Sequence, residues 1–155
     1  MVDLKRIILL TLLFISFTTS VFATCNLDQS RWKWLFSTDQ CGFYYDRNTA
    51  TIKSASTFEV WLCLYYPGNT TSCGLGPCIK ARVNNSEHYH YIRNEFNTQR
   101  YSGTYKGMLI RNYKGDTVYS DTLPLHRQRS ETIYPDSLGE NVMLIIKQDL
   151  YNYRR

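Results

Sequence analysis

The alternation of apolar and polar positions predicts strands over most of the chain. Residues 31–37 alternate around three large aromatic side chains, as a half-buried strand does, and residues 43–46 continue after a turn. Residues 57–66 are apolar on both faces, which is typical of a strand in the middle of a covered sheet. Three further strands are predicted at 87–98, 101–113 and 117–123. Short turns between them favour an antiparallel meander of about six strands.

The C-terminal part of the sequence has a helical pattern instead. Ser137 and Glu140 have the spacing of a capping box, in which the hydroxyl accepts from the third backbone N–H and the carboxylate reaches back. The apolar positions that follow share one predicted helical stripe: Leu138, Val142, Ile145, Ile146 and Leu150. A helix with one apolar face needs a sheet to cover it. The predicted fold class is therefore α+β, with the antiparallel sheet packed against a C-terminal helix.

Residues 1–23 have the three parts of a cleavable secretory signal. Lys5 and Arg6 form the positive start, an apolar stretch runs over residues 7–17, and small residues precede the expected cut after Ala23. An uncleaved anchor is a weaker alternative, because a membrane span needs about 20 apolar residues. Lipidation of Cys25 is another alternative, with a poor match around the cysteine. We expect export, and a single domain over residues 24–155 without a membrane span after cleavage.

Composition narrows the classes of partner. The formal net charge of +5 is spread along the chain, whereas a nucleic-acid interface needs a clustered basic face. The sequence therefore favours no nucleic-acid partner. Its 13 tyrosines suit strands, and they also suit a recognition surface, because Tyr combines an apolar ring with a polar tip.

The five cysteines all follow the expected cut. In an oxidising compartment Cys73 and Cys78 are the predicted disulfide, because the Gly- and Pro-rich turn between them can bring their ends together. Zinc binding by this pair is the weaker alternative, since a second close pair of cysteines is missing from the sequence. An odd number of cysteines leaves at least one without a cysteine partner.

The sequence predicts no catalytic site, no metal site and no cofactor. His88 and His90 would share one face of a strand and could both reach a metal ion, but two ligands do not make a site, and His126 lies in another segment. We interpret the pair as packed strand histidines. The sequence has no nucleophile motif and no phosphate-binding loop. The strand carboxylates Glu59 and Glu95 are interpreted as exposed-face residues rather than a glycosidase-like pair, so we do not expect an enzyme.

The ordered set of motifs resembles the bacterial surface-adhesin protein E-like domain family, over roughly residues 31–150. The segments that carry the resemblance are Trp34, residues 42–46, 60–62, 91–96, 114–120 and 133–137. The resemblance implies an antiparallel sheet plus helix at the envelope of a bacterium with two membranes, and its namesake member is an adhesin for host matrix proteins. Family members commonly have a cysteine in the last helix, which this chain lacks.

From these observations we expect a small adhesin-like binding module for a host matrix or envelope protein, exported to the periplasm or cell surface. Lys80, Arg82 and Arg93 are the predicted binding residues, as a basic neighbourhood that could meet an acidic partner. The alternative is a structural or accessory periplasmic protein without adhesive function, with a homodimer through an edge strand as a further expectation.

Overall fold

The structure is a computed structural model that describes residues 27–68, 83 and 86–152. Within them one sheet contains eight strands: β1 (Trp32–Ser37), β2 (Gly42–Asp46), β3 (Thr51–Ile52), β4 (Thr57–Tyr66), β5 (His88–Asn97), β6 (Ser102–Asn112), β7 (Thr117–Thr122) and β8 (Ser130–Thr132). A 3-10 turn, Leu125–Arg127, precedes β8, and the helix α1, Leu138–Asn152, follows it. The α+β class with a C-terminal helix is confirmed.

All strand pairs are antiparallel, in the order β1-β2-β4-β5-β6-β7, with β3 beside β4 and β8 beside β6. The predicted number of about six strands is wrong. The two additional strands, β3 and β8, contain two and three residues. Segments this short cannot display a repeated alternation of apolar and polar positions, so their sequence carries no strand signal.

The central position predicted for residues 57–66 is confirmed, because β4 pairs with β2, β3 and β5. Its side chains alternate between two faces of the sheet. Phe58, Val60 and Leu62 belong to the larger core beside α1, which we call the helix face. Cys63 and Tyr65 belong to a second cluster on the opposite side, which we call the second face. Both clusters are buried, as the apolar pattern of β4 requires.

Helix α1 lies on the helix face through a stripe that differs from the predicted one. Its buried residues are Val142, Met143, Ile146 and Leu150. Leu138 and Ile145, predicted in the stripe, are 46% and 38% exposed. The sequence pattern does not fix the rotation of a helix on its sheet when apolar residues surround most of its circumference.

The N-terminus of α1 is capped largely as predicted. The hydroxyl of Ser137 accepts from the backbone N–H of Glu140 at 3.2 Å. The carboxylate of Glu140 reaches back to the N–H of Asp136, at 2.7 Å, one residue before the serine. Asp136 has φ of 59°, a left-handed conformation that aspartate tolerates in turns. The cap therefore includes the turn that leads into the helix.

Near its C-terminal end, α1 is tied to the sheet by Asp149. This carboxylate accepts from Lys33 of β1, from the hydroxyl of Tyr45 of β2, and from Arg47 at 3.0 Å. Burial and the bond to Asp149 raise the pKa of Tyr45 to about 12, so the hydroxyl stays protonated as a donor. Burial opposes ionisation of Asp149, but the bonds from Lys33, Tyr45 and Arg47 hold its pKa below the usual value. The buried side chains of α1 and the ion pairs of Asp149 thus both hold the helix against the sheet.

Replacing Ile146 by Ala tests this packing against a matched change at the neighbouring isoleucine. Ile146 is fully buried, so Ile146→Ala is expected to lower the free energy of unfolding by about 2–5 kcal/mol. Ile145→Ala, at a position 38% exposed, is expected to cost less than about 1 kcal/mol. Urea unfolding followed by circular dichroism measures both. Equal losses would contradict a rotation of α1 that buries Ile146 against the sheet and leaves Ile145 partly exposed.

Candidate binding surface

The second face of the sheet carries a continuous group of aromatic rings. Its buried members are Leu27, Trp32, Cys63, Tyr65 and Tyr89, and Tyr44, Trp61 and Tyr91 pack against them while partly exposed. The rings of Tyr65 and Tyr89 lie 5.2 Å apart, and those of Tyr89 and Tyr91 lie 6.3 Å apart. This face arises because three neighbouring strands each direct alternate aromatic residues to the same side.

At one border of these rings lies a shallow cavity of about 360 Å³, which we call the arginine–aromatic pocket. It is lined by Arg31, Trp32, Trp61, Tyr91, Leu109 and Arg111. The sheet register places Trp61 opposite Arg93, and Tyr91 opposite Leu109 on the next strand. The indole of Trp32 packs against the ring of Tyr91 with centroids 5.3 Å apart and planes tilted by 56°. The lining therefore combines flat apolar walls with two guanidinium groups, and none of the described residues that line it is a carboxylate.

One wall of the pocket is held in place by the pair of Arg31 and Asp46. Nε and Nη2 of Arg31 donate to one carboxylate oxygen of Asp46 at 2.9 and 2.6 Å. Asp46 is fully buried, and its other oxygen accepts from the backbone N–H groups of Asn48 and Thr49. Burial would raise the pKa of Asp46, but these hydrogen bonds, led by that of Arg31, lower it. Arg31 also lies over the ring of Trp32, at 5.6 Å from its centroid.

The opposite wall is formed by Arg111, which is exposed. Its guanidinium carbon lies 5.8 Å from the centroid of the Tyr91 ring. Among the described residues Arg111 forms no salt bridge with a carboxylate. Its charge is therefore available to a partner, whereas that of Arg31 is largely neutralised by Asp46.

A separate charge cluster lies farther along the second face, around Glu59 and Glu95. Lys53 and Lys106 each contact both carboxylates, at distances of 2.5 to 2.8 Å. Arg93 donates through Nε to Glu59 at 2.6 Å. Each of the three cations is paired with a carboxylate, so the cluster links β4, β5, β6 and the residue after β3, with a net charge of +1.

Arg93 is the described member of the three predicted binding residues, and it pairs with Glu59 in this cluster. Lys80 and Arg82 lie outside the described residues. Binding by these three residues stays a prediction. The structure instead draws attention to Arg111, which sits across the pocket from Arg31.

The predicted disulfide of Cys73 and Cys78 lies outside the described residues, as do Cys25 and the expected signal at 1–23. Cys41 and Cys63 are both buried. They belong to opposite faces of the sheet, Cys41 to the helix face and Cys63 to the second face, so the sheet itself separates their sulfur atoms. Burial is the main cause that raises the pKa of the Cys41 thiol.

His88 and His90 share one side of β5, as their spacing predicts, and that side is the helix face. They are 2% and 4% exposed, and both pack against the ring of Tyr66. The described residues contain no group of three or more His, Cys, Asp or Glu placed to hold a metal ion. Nor do they contain a helix long and apolar enough to cross a membrane.

The arginine–aromatic pocket was not predicted from the sequence. Its residues come from β1, β4, β5, β6 and the residue before β1, and their proximity depends on the strand register. One signal was present: Trp61, Cys63 and Tyr65 alternate on the face of β4 that a single amphipathic helix cannot cover. Pairing this face with Tyr89 and Tyr91 of the next strand would have pointed to an aromatic surface.

Comparisons with protein-family models, with curated proteins and with solved structures gave no match for this chain. The resemblance to the surface-adhesin protein E-like family accordingly rests on the ordered sequence motifs alone.

The charge cluster predicts a specific loss of stability in acid. Burial alone would raise the pKa of Glu59, but hydrogen bonds from Lys106, Lys53 and Arg93 lower it from 4.5 to about 2. The unfolded chain, with the higher pKa, then takes up the proton more readily, so stability present above pH ~4.5 is lost as the pH falls towards 2. Glu59→Gln is expected to flatten this part of the stability curve and to cost about 1–3 kcal/mol at neutral pH.

Urea unfolding at a series of pH values measures the effect. Glu131→Gln is the matched control, because Glu131 is exposed on β8 and forms no salt bridge among the described residues. Its curve should run parallel to that of the unchanged protein. A Glu59→Gln curve that is also parallel would show that Glu59 is not the group that titrates.

Proposed function

We propose that this protein is a small exported binding module that recognises a host matrix or envelope protein through the arginine–aromatic pocket. The pocket supports the proposal by its composition. Trp, Tyr and Arg are the residue types most enriched among those that dominate binding energy at protein interfaces. Here they occur together around one cavity of about 360 Å³, with Arg31 and Arg111 on its walls.

The observation that carries the proposal is that only one of the two arginines of the pocket has a carboxylate partner. Arg31 forms a salt bridge with Asp46, but Arg111 is exposed and lacks a carboxylate partner among the described residues. A guanidinium beside an aromatic ring suits a carboxylate that arrives next to an apolar side chain. The expected ligand segment therefore presents Asp or Glu together with an aromatic or aliphatic residue on the surface of the partner protein.

The proposal also includes the cellular setting, for which the support is in the sequence. The segment at residues 1–23 has the features of a secretory signal, and the ordered motifs resemble an envelope adhesin family. Non-enzymatic binding in the periplasm or at the cell surface is consistent with both.

Charge reversal at Arg111 tests the pocket. Purified extracellular-matrix proteins are immobilised, and binding of the mature domain is measured by surface plasmon resonance over a salt series. Binding is expected to weaken as salt rises, because an ion pair is involved. Arg111→Glu is expected to weaken it at least tenfold, equivalent to about 1.4 kcal/mol.

Arg100→Glu is the control with the same change of net charge. Arg100 is exposed in the turn between β5 and β6, and it does not line the pocket. Equal weakening by both variants would indicate non-specific attraction of a basic protein and would contradict the pocket as the site. Retention no better than that of an unrelated basic domain would contradict adhesion itself. Sedimentation of the same samples measures whether the domain forms a homodimer.

A further inference from the structure

A second cavity, of about 270 Å³, lies on the helix face between the sheet and the first turns of α1, and we call it the helix-side cavity. Strands β2, β4, β5 and β6 form its floor, and β8, the residue after β8 and α1 form its walls. Most of the described residues that line it are apolar, among them Phe43, Leu64, Ile92, Phe96, Ile133 and Val142. The arginine–aromatic pocket lies on the opposite face of the sheet, so the two cavities are separate.

Two glycines keep space open on either side of Ile133. A Cβ atom added to Gly103 of β6 would lie 3.5 Å from Ile133 and 3.7 Å from Phe96, and one added to Gly139 of α1 would lie 3.6 Å from Ile133. These are ordinary contact distances, and neither glycine has a positive φ. The backbone therefore does not require glycine at these positions, although glycine weakens both strands and helices. Its effect at both is to leave room in the cavity.

One polar side chain of the lining has an atom without a hydrogen-bond partner. Asn94 lies between Val60 of β4 and Tyr105 of β6 in the sheet register, and its amide oxygen Oδ1 is buried and unpaired. A buried polar atom without a partner is unfavourable, whereas leucine would fill a similar space without that cost. Rotation about χ2 of asparagine is broad and roughly two-fold, so the amide can present either Oδ1 or Nδ2 to the cavity. Asn94 is thus suited to bind a polar group of a ligand.

We propose that the helix-side cavity binds a small aromatic molecule that carries a hydroxyl group. An apolar cavity of about 150 Å³ can bind benzene, so one of about 270 Å³ has room for two fused rings. The side chains of Phe43, Phe96 and Tyr105 line the cavity and offer ring surfaces against which such a ligand packs. A hydroxyl both donates and accepts, so it can pair with the Asn94 amide in either orientation.

The inference does not depend on the proposed function, because the two sites share no lining residue. Leu138 lines the helix-side cavity although it is 46% exposed, so it lies where the cavity opens to solvent. A ligand can therefore enter beside the first turn of α1 without any separation of the helix from the sheet.

Solution NMR of the unchanged mature domain tests the proposal with 2-naphthol as the probe. The backbone amides of Gly103 and Gly139, on two sides of the cavity, and the side-chain amide of Asn94 are expected to shift together in ¹H–¹⁵N spectra and to fit one dissociation constant. Gly115, in the turn between β6 and β7, is expected to stay unchanged. No shift at the two glycines of the cavity, or a shift confined to the indole of Trp61 in the arginine–aromatic pocket, would overturn the proposal.

A comparison with naphthalene, which has the same rings without the hydroxyl, tests the role of Asn94. The ratio of the affinities for 2-naphthol and naphthalene is expected to fall about two- to tenfold in Asn94→Leu, the effect of losing one hydrogen bond. Asn141→Leu is the matched control, because Asn141 is exposed on α1 and does not line the cavity. Its ratio should equal that of the unchanged protein.

Circular dichroism checks that both variants are folded. A folded Asn94→Leu variant with an unchanged ratio would show that the amide does not bind the hydroxyl, and it would overturn the proposal. If Asn94→Leu does not fold, the NMR titration of the unchanged protein decides, because it needs no substitution.

Discussion

Strand β4 sets the constraint on which the rest of the structure depends, because its apolar side chains point to both faces of the sheet. Each face must be shielded from water, and the two faces are shielded differently. Helix α1 covers one with four buried residues and an anchor at Asp149. On the other, aromatic rings cover one another and stay partly exposed at Trp61 and Tyr91. The partly exposed aromatic side chains of the second face border the arginine–aromatic pocket.

Much of the fold followed from local pattern. The six longer strands and the C-terminal helix have enough residues to repeat a period, and the antiparallel class followed from their short turns. The pattern did not predict the rotation of α1 about its axis or the pairing of the short strands β3 and β8. Met143 replaces Ile145 in the buried stripe because the sheet, rather than the helix sequence, decides which side of an apolar helix is covered. Strand β8 exists only through its pairing with β6.

The candidate site was less predictable, since it depends on register between strands distant in sequence. Arg31 and Arg111 are 80 positions apart and line the same pocket. Arg93, by contrast, was recognisable as a basic residue, but its partner Glu59 belongs to another strand and could not be assigned from spacing. For His88 and His90 the spacing correctly placed both rings on one side of a strand. That Nε2 of each ring is buried and has no hydrogen-bond partner among the described residues became apparent only from the structure.

The buried carboxylate of Asp46 makes the Arg31 side of the pocket more rigid than the Arg111 side. The Asp46 carboxylate accepts from Arg31 and also from backbone N–H groups of the β2–β3 turn. Moving the Arg31 guanidinium away would leave this buried carboxylate without its counter-charge and would loosen the turn. Arg111 has no such tether among the described residues, so under the proposed function its side chain would lose rotamer freedom only on binding a ligand. Under the proposed function, the Arg31 side would be a rigid surface that binds a matching shape at little entropic cost. The Arg111 side chain would adjust to the ligand, so that one cavity would accept carboxylates at somewhat different heights.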